Sequence, residues 1–210
     1  MPKILVIVLA LVVFTAGCIE PRVKSRTQSV AKVEDEVVNP LTMAVIPVST
    51  HQHDRMLVTE MARQFATIWS QQTSGMHLPV IPERGLRNDP VELTSREFLR
   101  DGTLSADGVA RLNLSGTASY ALLLWVQDYG LTWEPAGQVK NISLGFALVS
   151  GLSERTLIEG QGEVSVRSAK ESLKSLENKV LTQLAIRVQG DLTPKPPEQK
   201  DKDSRPSQEE

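Results

Sequence analysis

Hydrophobic and polar positions are patterned most clearly between Ser119 and Val166. Tyr120-Ala121-Leu122-Leu123-Leu124-Trp125-Val126 is an unbroken apolar run. It is too short to cross a bilayer as a helix and suits a strand buried on both faces. Asp128-Tyr129-Gly130 reads as a break. From Val139 to Val149, Ile142, Leu144, Phe146 and Leu148 alternate with Asn141, Ser143, Gly145 and Ala147, the period of a strand with one buried face. A turn at Ser150-Gly151 leads to a third run, Arg155 to Val166. Three consecutive antiparallel strands are predicted, with the rest of the chain packed on them.

Before this block, Thr42 to Val48 predicts a strand with Pro47 near its end, where a missing N–H is tolerated. A helix is predicted over 55–72, with Asp54 as N-cap and Gly75 just past its stop. Its apolar stripe is Leu57, Met61, Phe65 and Ile68, with Val58 and Trp69 alongside. Met76 to Ile81 predicts a second strand, making a βαβ unit. Residues 83–93 read as loop. The capping box Thr94-Ser95-Arg96-Glu97 predicts a short helix ending at Asp101-Gly102, and Ser105 predicts another over Ala106 to Leu112. After the strands, the box Ser168-Ala169-Lys170-Glu171 opens a long helix with the stripe Leu173, Leu176, Val180, Leu184 and Val188, stopped by Gly190. The expected fold class is α/β: one mixed-sheet domain over 41–190 with helices packed on it, in the order β-α-β-α-α-β-β-β-α. Residues 191–210 are rich in Pro, Lys, Glu and Asp and read as a disordered tail.

Composition changes this picture little. The 210 residues are 40% hydrophobic and 23% charged, with a formal net charge of −2. That balance gives no electrostatic pull toward nucleic acid. The single cysteine excludes an intrachain disulfide.

The position of that cysteine is informative. Met1 to Lys3 is a short basic start, Ile4 to Phe14 is uninterruptedly apolar, and Thr15-Ala16-Gly17 precedes Cys18. This reads as a signal peptide over 1–17. The small residues before Cys18 resemble a bacterial lipobox, with Thr15 where Leu is usual. The resemblance implies cleavage after Gly17 and lipidation of Cys18, hence a stable membrane tether. Ile19 in place of Asp implies, by the bacterial sorting rule, the outer membrane. Residues 18–40 read as the lipidated cysteine and a flexible tether. About 22 residues would span roughly 25 Å as a coil and roughly 70 Å fully stretched.

Candidate chemistry is sparse. His51-Gln52-His53-Asp54 could ligate a metal, with His77 converging from elsewhere, but a His-x-His in a loop is usually solvated. His51 and Asp54 lack a nucleophile elbow to complete a triad. Gly160-Gln161-Gly162 has no phosphate-loop context and suits a bulge or a close backbone approach. No catalytic residue, metal or cofactor is expected. Trp125 is expected in the core. Tyr129, Leu131 and Trp133 fall on a predicted loop, Asp128 to Gln138, and aromatic residues so placed favour an interface.

Several segments, taken in order, resemble one family. They are Ala44-Val45-Ile46-Pro47-Val48 followed by a helix and a strand; Arg96 to Leu104 with Ala106-Asp107-Gly108; Ser119 to Leu124; and Phe146 to Gly151 followed by Leu157-Ile158-Glu159-Gly160. Together they resemble the curli-secretion lipoproteins (CsgG-like), a set that includes LpoB, an activator of a peptidoglycan synthase, and PelC, an exopolysaccharide-export lipoprotein. Ser150-Gly151-Leu152-Ser153 lacks the usual Asp, and Ile158 stands where Trp is usual. The resemblance implies an outer-membrane lipoprotein on the periplasmic face, non-catalytic, serving as an assembly or scaffold component of an envelope secretion or export machinery. The alternative is a lipoprotein activator of a peptidoglycan synthase. Rings among the relatives imply a homo-oligomer, with the edge of the Arg155–Val166 strand open to a neighbour. A membrane pore would need longer hairpins than the pattern predicts.

Overall fold

The computed structural model describes residues 24–29, 38, 43–50, 54–83, 89–101, 107, 118–135, 137–153, 155–167 and 170–192. Along the chain these form Lys24–Ser29 (β1), Met43–Pro47 (β2), Arg55–Gln72 (α1), Pro90–Asp101 (α2), Tyr120–Glu134 (β3), Gly137–Ser150 (β4), Arg155–Val166 (β5) and Leu173–Leu192 (α3). The strands make one mixed sheet in the order β1-β5-β4-β3-β2. Only β2 and β3 run parallel; the other neighbours are antiparallel. The expected α/β class and the consecutive strands of the central block are present.

Side-chain alternation sorts the core onto both faces. Tyr120, Leu122, Leu124 and Val126 of β3 and Ile142, Leu144, Phe146 and Leu148 of β4 share one face with Met43 and Val45. Helices α1 and α3 cover it with the stripes Val58, Met61, Phe65, Trp69 and Leu176, Val180, Leu184, Val188. Both stripes follow the helical period, so each helix turns one apolar side to the sheet. The other face carries Ile46, Val48, Ala121, Leu123, Ala147 and Val149, packed against Val91 and Phe98 of α2. This two-sided burial explains the apolar run at Tyr120, since neither face of inner β3 meets water. Each large side chain buried there contributes about 1.5–3 kcal/mol.

Several sequence expectations need correction. Residues 24–29 are not tether: they form β1, paired along β5 from Lys24 opposite Glu163 to Ser29 opposite Ile158. The β5 edge expected to await a neighbour is therefore filled by the chain itself. Met76 to Ile81 contributes only a parallel bridge from Val80 to Val45, with hydrogen bonds Val45 N–H to Pro79 O and Ile81 N–H to Val45 O. Helix α2 starts at Pro90, so the Thr94–Glu97 box lies inside it, with Thr94 and Ser95 buried. The cap is Asp89, whose Oδ1 accepts from Val91 N–H at 3.0 Å, with Pro90 at the first helical position, where its missing donor is harmless. Helix α3 is capped by Ser172, whose Oγ accepts from Ser175 N–H at 3.1 Å, and it runs through Gly190 to Leu192. Asp54 does hold the N-cap position of α1, but its carboxylate accepts from the Thr50 hydroxyl at 3.2 Å instead of capping. At the other end of α1, Ser74 takes φ 56° and Gly75 N–H donates to Ser70 O, a Schellman ending one residue before the expected glycine. The helix expected over Ala106 to Leu112 and the tail beyond Leu192 lie outside the described residues.

Candidate interaction site on the long hairpin

The segment read as a loop from Asp128 to Gln138 is the outer half of a hairpin. Strand β3 continues to Glu134, which pairs with Gly137, the first residue of β4. Gly137 has φ +121°, backbone that an L side chain rarely adopts. The inner half is buried and the outer half is mostly exposed.

A bulge divides the halves. Val126 pairs with Leu144, but Asp128 pairs with Ser143, leaving Gln127 as an extra residue. One inserted residue switches the face on which every later side chain stands. Even-numbered residues of inner β3 face α1 and α3; past the bulge the odd-numbered Tyr129, Leu131 and Trp133 take that side, opposite Ile142, Lys140 and Gln138.

Helix α3 then holds the base of the arm. The Tyr129 hydroxyl lies 3.4 Å from Glu177 Oε2, and Glu177, 2% exposed, also accepts from Lys174 Nζ at 2.7 Å. Burial, and then the Glu177 charge, push the Tyr129 phenol above its ordinary range. Lys140 Nζ donates to the Glu171 carbonyl. The opposite face of the arm is polar and cross-linked: Ser143 Oγ to Gln127 at 2.8 Å, Asn141 to Thr132 at 3.0 Å, and Ser165 Oγ to Asn141 at 2.7 Å. Arg167 pairs with Glu134 near the tip.

The three side chains expected at an interface therefore share one face. They differ in exposure: Tyr129 is half-buried, Leu131 is 49% exposed and Trp133 is 78% exposed. Gln138 and Lys140 interrupt their apolar surface, so this face is amphipathic along its length. Trp125, expected in the core, is half-buried against Phe98, ring centroids 5.3 Å apart. Gly162 is a close-approach glycine: a Cβ there would stand 3.2 Å from Val180 Cγ1 of α3. His77 is exposed, while His51, His53 and Cys18 lie outside the described residues. Among the described residues no group of three or more His, Cys, Asp or Glu could hold a metal ion, and no helix is long and apolar enough to cross a membrane. Sequence reasoning missed Glu177, which lies beside the α3 stripe and looks like an ordinary solvated acid. It also missed the bulge, which no residue type announces.

No family model matches the chain, and no curated protein does. Solved structures do. A PelC dodecamer from Paraburkholderia phytofirmans superposes with a TM-score of 0.51 at 13% identity, over 81% of this chain and 97% of that one. A hypothetical protein from Chlamydia trachomatis matches with a TM-score of 0.50 at 11% identity, over 71% and 96% respectively. At these identities what is shared is the fold: the chain has the mixed-sheet architecture of PelC.

Proposed function

We propose that this chain is a non-catalytic envelope lipoprotein, anchored through Cys18 to the periplasmic face of the outer membrane, that assembles with copies of itself as a component of a secretion or export machinery. The observation that carries this reading is the likeness to a dodecameric PelC along nearly the whole of that protein. The lipobox at Thr15-Ala16-Gly17-Cys18 supports the anchor. A closed ring needs a head-to-tail contact between two different patches. The exposed apolar residues supply patches on opposite sides of the sheet, Leu93 and Leu99 on α2 and Ile186 on α3. The anchor is tested with globomycin, which blocks the lipoprotein signal peptidase. The precursor should accumulate in treated cells, and Cys18→Ala should release the protein from the membrane fraction. A Cys18→Ala chain that stays with the membrane refutes the anchor.

A further inference from the structure

We propose that the tip of the β3–β4 hairpin, carrying Leu131 and Trp133, is a second membrane contact, seated in the headgroup region of the bilayer that holds the lipid on Cys18. The inference rests on the anchored reading above and adds an orientation to it.

The sheet register sets the geometry. Lys24, the first residue of β1, pairs with Glu163; Glu163 pairs with Ser143; Ser143 pairs with Asp128. The chain therefore enters the sheet at the level of Asp128, at the end from which the hairpin projects. From Asp128 to Glu134 the hairpin runs six residues farther, about 20 Å at the rise of a strand. From Cys18 to Lys24 is also six residues, at most about 20 Å fully extended. A lipid at Cys18 thus cannot hold the sheet farther from the bilayer than the hairpin reaches. With the hairpin pointed at the bilayer, any path for those residues short of full extension brings the tip to the membrane surface.

The tip has the chemistry for that position. Trp133 is 78% exposed and Leu131 49%. Tyr129, Lys140 and Gln138 lie on the same face by register. An exposed indole beside an aliphatic side chain, with an amide opposite it, suits the boundary between headgroups and acyl chains, where Trp concentrates. The hydrocarbon interior is excluded, because Asp128, Thr132 and Glu134 stand on the other face of the same strand. The contacts of Tyr129 with Glu177 of α3 and of Lys140 with the Glu171 carbonyl, two residues before α3, fix the base of the arm.

Tryptophan fluorescence tests this on the full lipidated chain. There are three tryptophans, of which Trp69 is buried in the core and Trp125 is held against Phe98. The protein is reconstituted into phosphatidylethanolamine–phosphatidylglycerol vesicles with and without lipids brominated at a shallow acyl position. Bromine should quench the wild-type emission, and Trp133→Phe should lose most of that quenching while its bound fraction is unchanged. An acylated, vesicle-bound chain whose Trp133 emission ignores bromine overturns the contact alone. If iodide is also excluded from Trp133, a neighbouring protein covers the tip and the contact is again overturned. A chain that carries no acyl label at Cys18 overturns the anchor, and the contact with it.

Discussion

Trp125 lies across the backbone of Gly145, its partner on the neighbouring strand, so closely that a Cβ on the glycine would fall 2.2 Å from indole Cε2. On the far side the indole meets Phe98 of α2. The glycine is thus the seat of the aromatic that joins α2 to the sheet, and it sits beside the Leu144–Val126 pair where the bulge begins.

Gly145→Ala should therefore destabilise the fold by about 1–3 kcal/mol, the range for forcing extra carbon into a packed site. In a Trp125→Ala background the same change should be close to neutral or mildly stabilising, since the clash is gone and alanine suits a strand better than glycine. Denaturant unfolding of the four variants measures the coupling. Additive effects would contradict the contact.

Asp89→Ala should lower stability by about 1 kcal/mol, because it removes the acceptor that caps α2 at Val91 N–H. The loss should show as a lower denaturant midpoint with an unchanged slope. The competing cap suggested by Thr94 to Glu97 predicts no effect at Asp89.

Tyr129 makes stability depend on pH at the alkaline end. Its folded-state pKa is raised, chiefly by burial and then by the negative charge of Glu177. A raised pKa on an acid that is neutral when protonated means folding favours the protonated form. The stabilisation is full below the unfolded value, about 10, and is lost as pH rises through the folded value. Tyr129→Phe should keep the buried ring and remove the ionisation. The variant's unfolding free energy should fall less steeply than the wild type's above pH ~10, where unfolded tyrosine ionises. Parallel curves through that range would contradict the Glu177 contact.

Hydrogen exchange separates a tether from a strand at residues 24–29. Antiparallel pairing of Lys24–Ser29 with β5 predicts amide protection in a peptide covering these residues. Exchange as fast as in a free chain would remove β1, and with it the short span between Cys18 and the sheet.

What the sequence revealed depended on whether a side chain's period decided the structure. The α1 and α3 stripes and the buried runs of β2, β3 and β4 were legible because burial repeats at the period of the element. Residues 24–29 were not legible: Lys24, Arg26 and Gln28 have no apolar partner positions, and an edge strand is held by backbone pairing that composition does not record. The outer hairpin was misread for a different reason. Asp128-Tyr129-Gly130 looks like a turn, and the bulge at Gln127 breaks the alternation that would have identified a strand. Tyr129, Leu131 and Trp133 were legible as residues of one face, since all three lie past the bulge at a spacing of two. Glu177, which holds Tyr129, was invisible because its partner is 48 residues away. The caps were misplaced where two acceptable hydroxyl or carboxylate residues competed, as Asp89 does with Thr94, and only backbone geometry chooses between them.

The most direct test of the account is the mass of the intact lipidated protein in mild detergent, by sedimentation or native mass spectrometry. The account predicts a discrete closed multimer that persists on dilution and is weakened by charged substitutions at Leu93 or Ile186. A lipidated chain that remains monomeric at high concentration would contradict it.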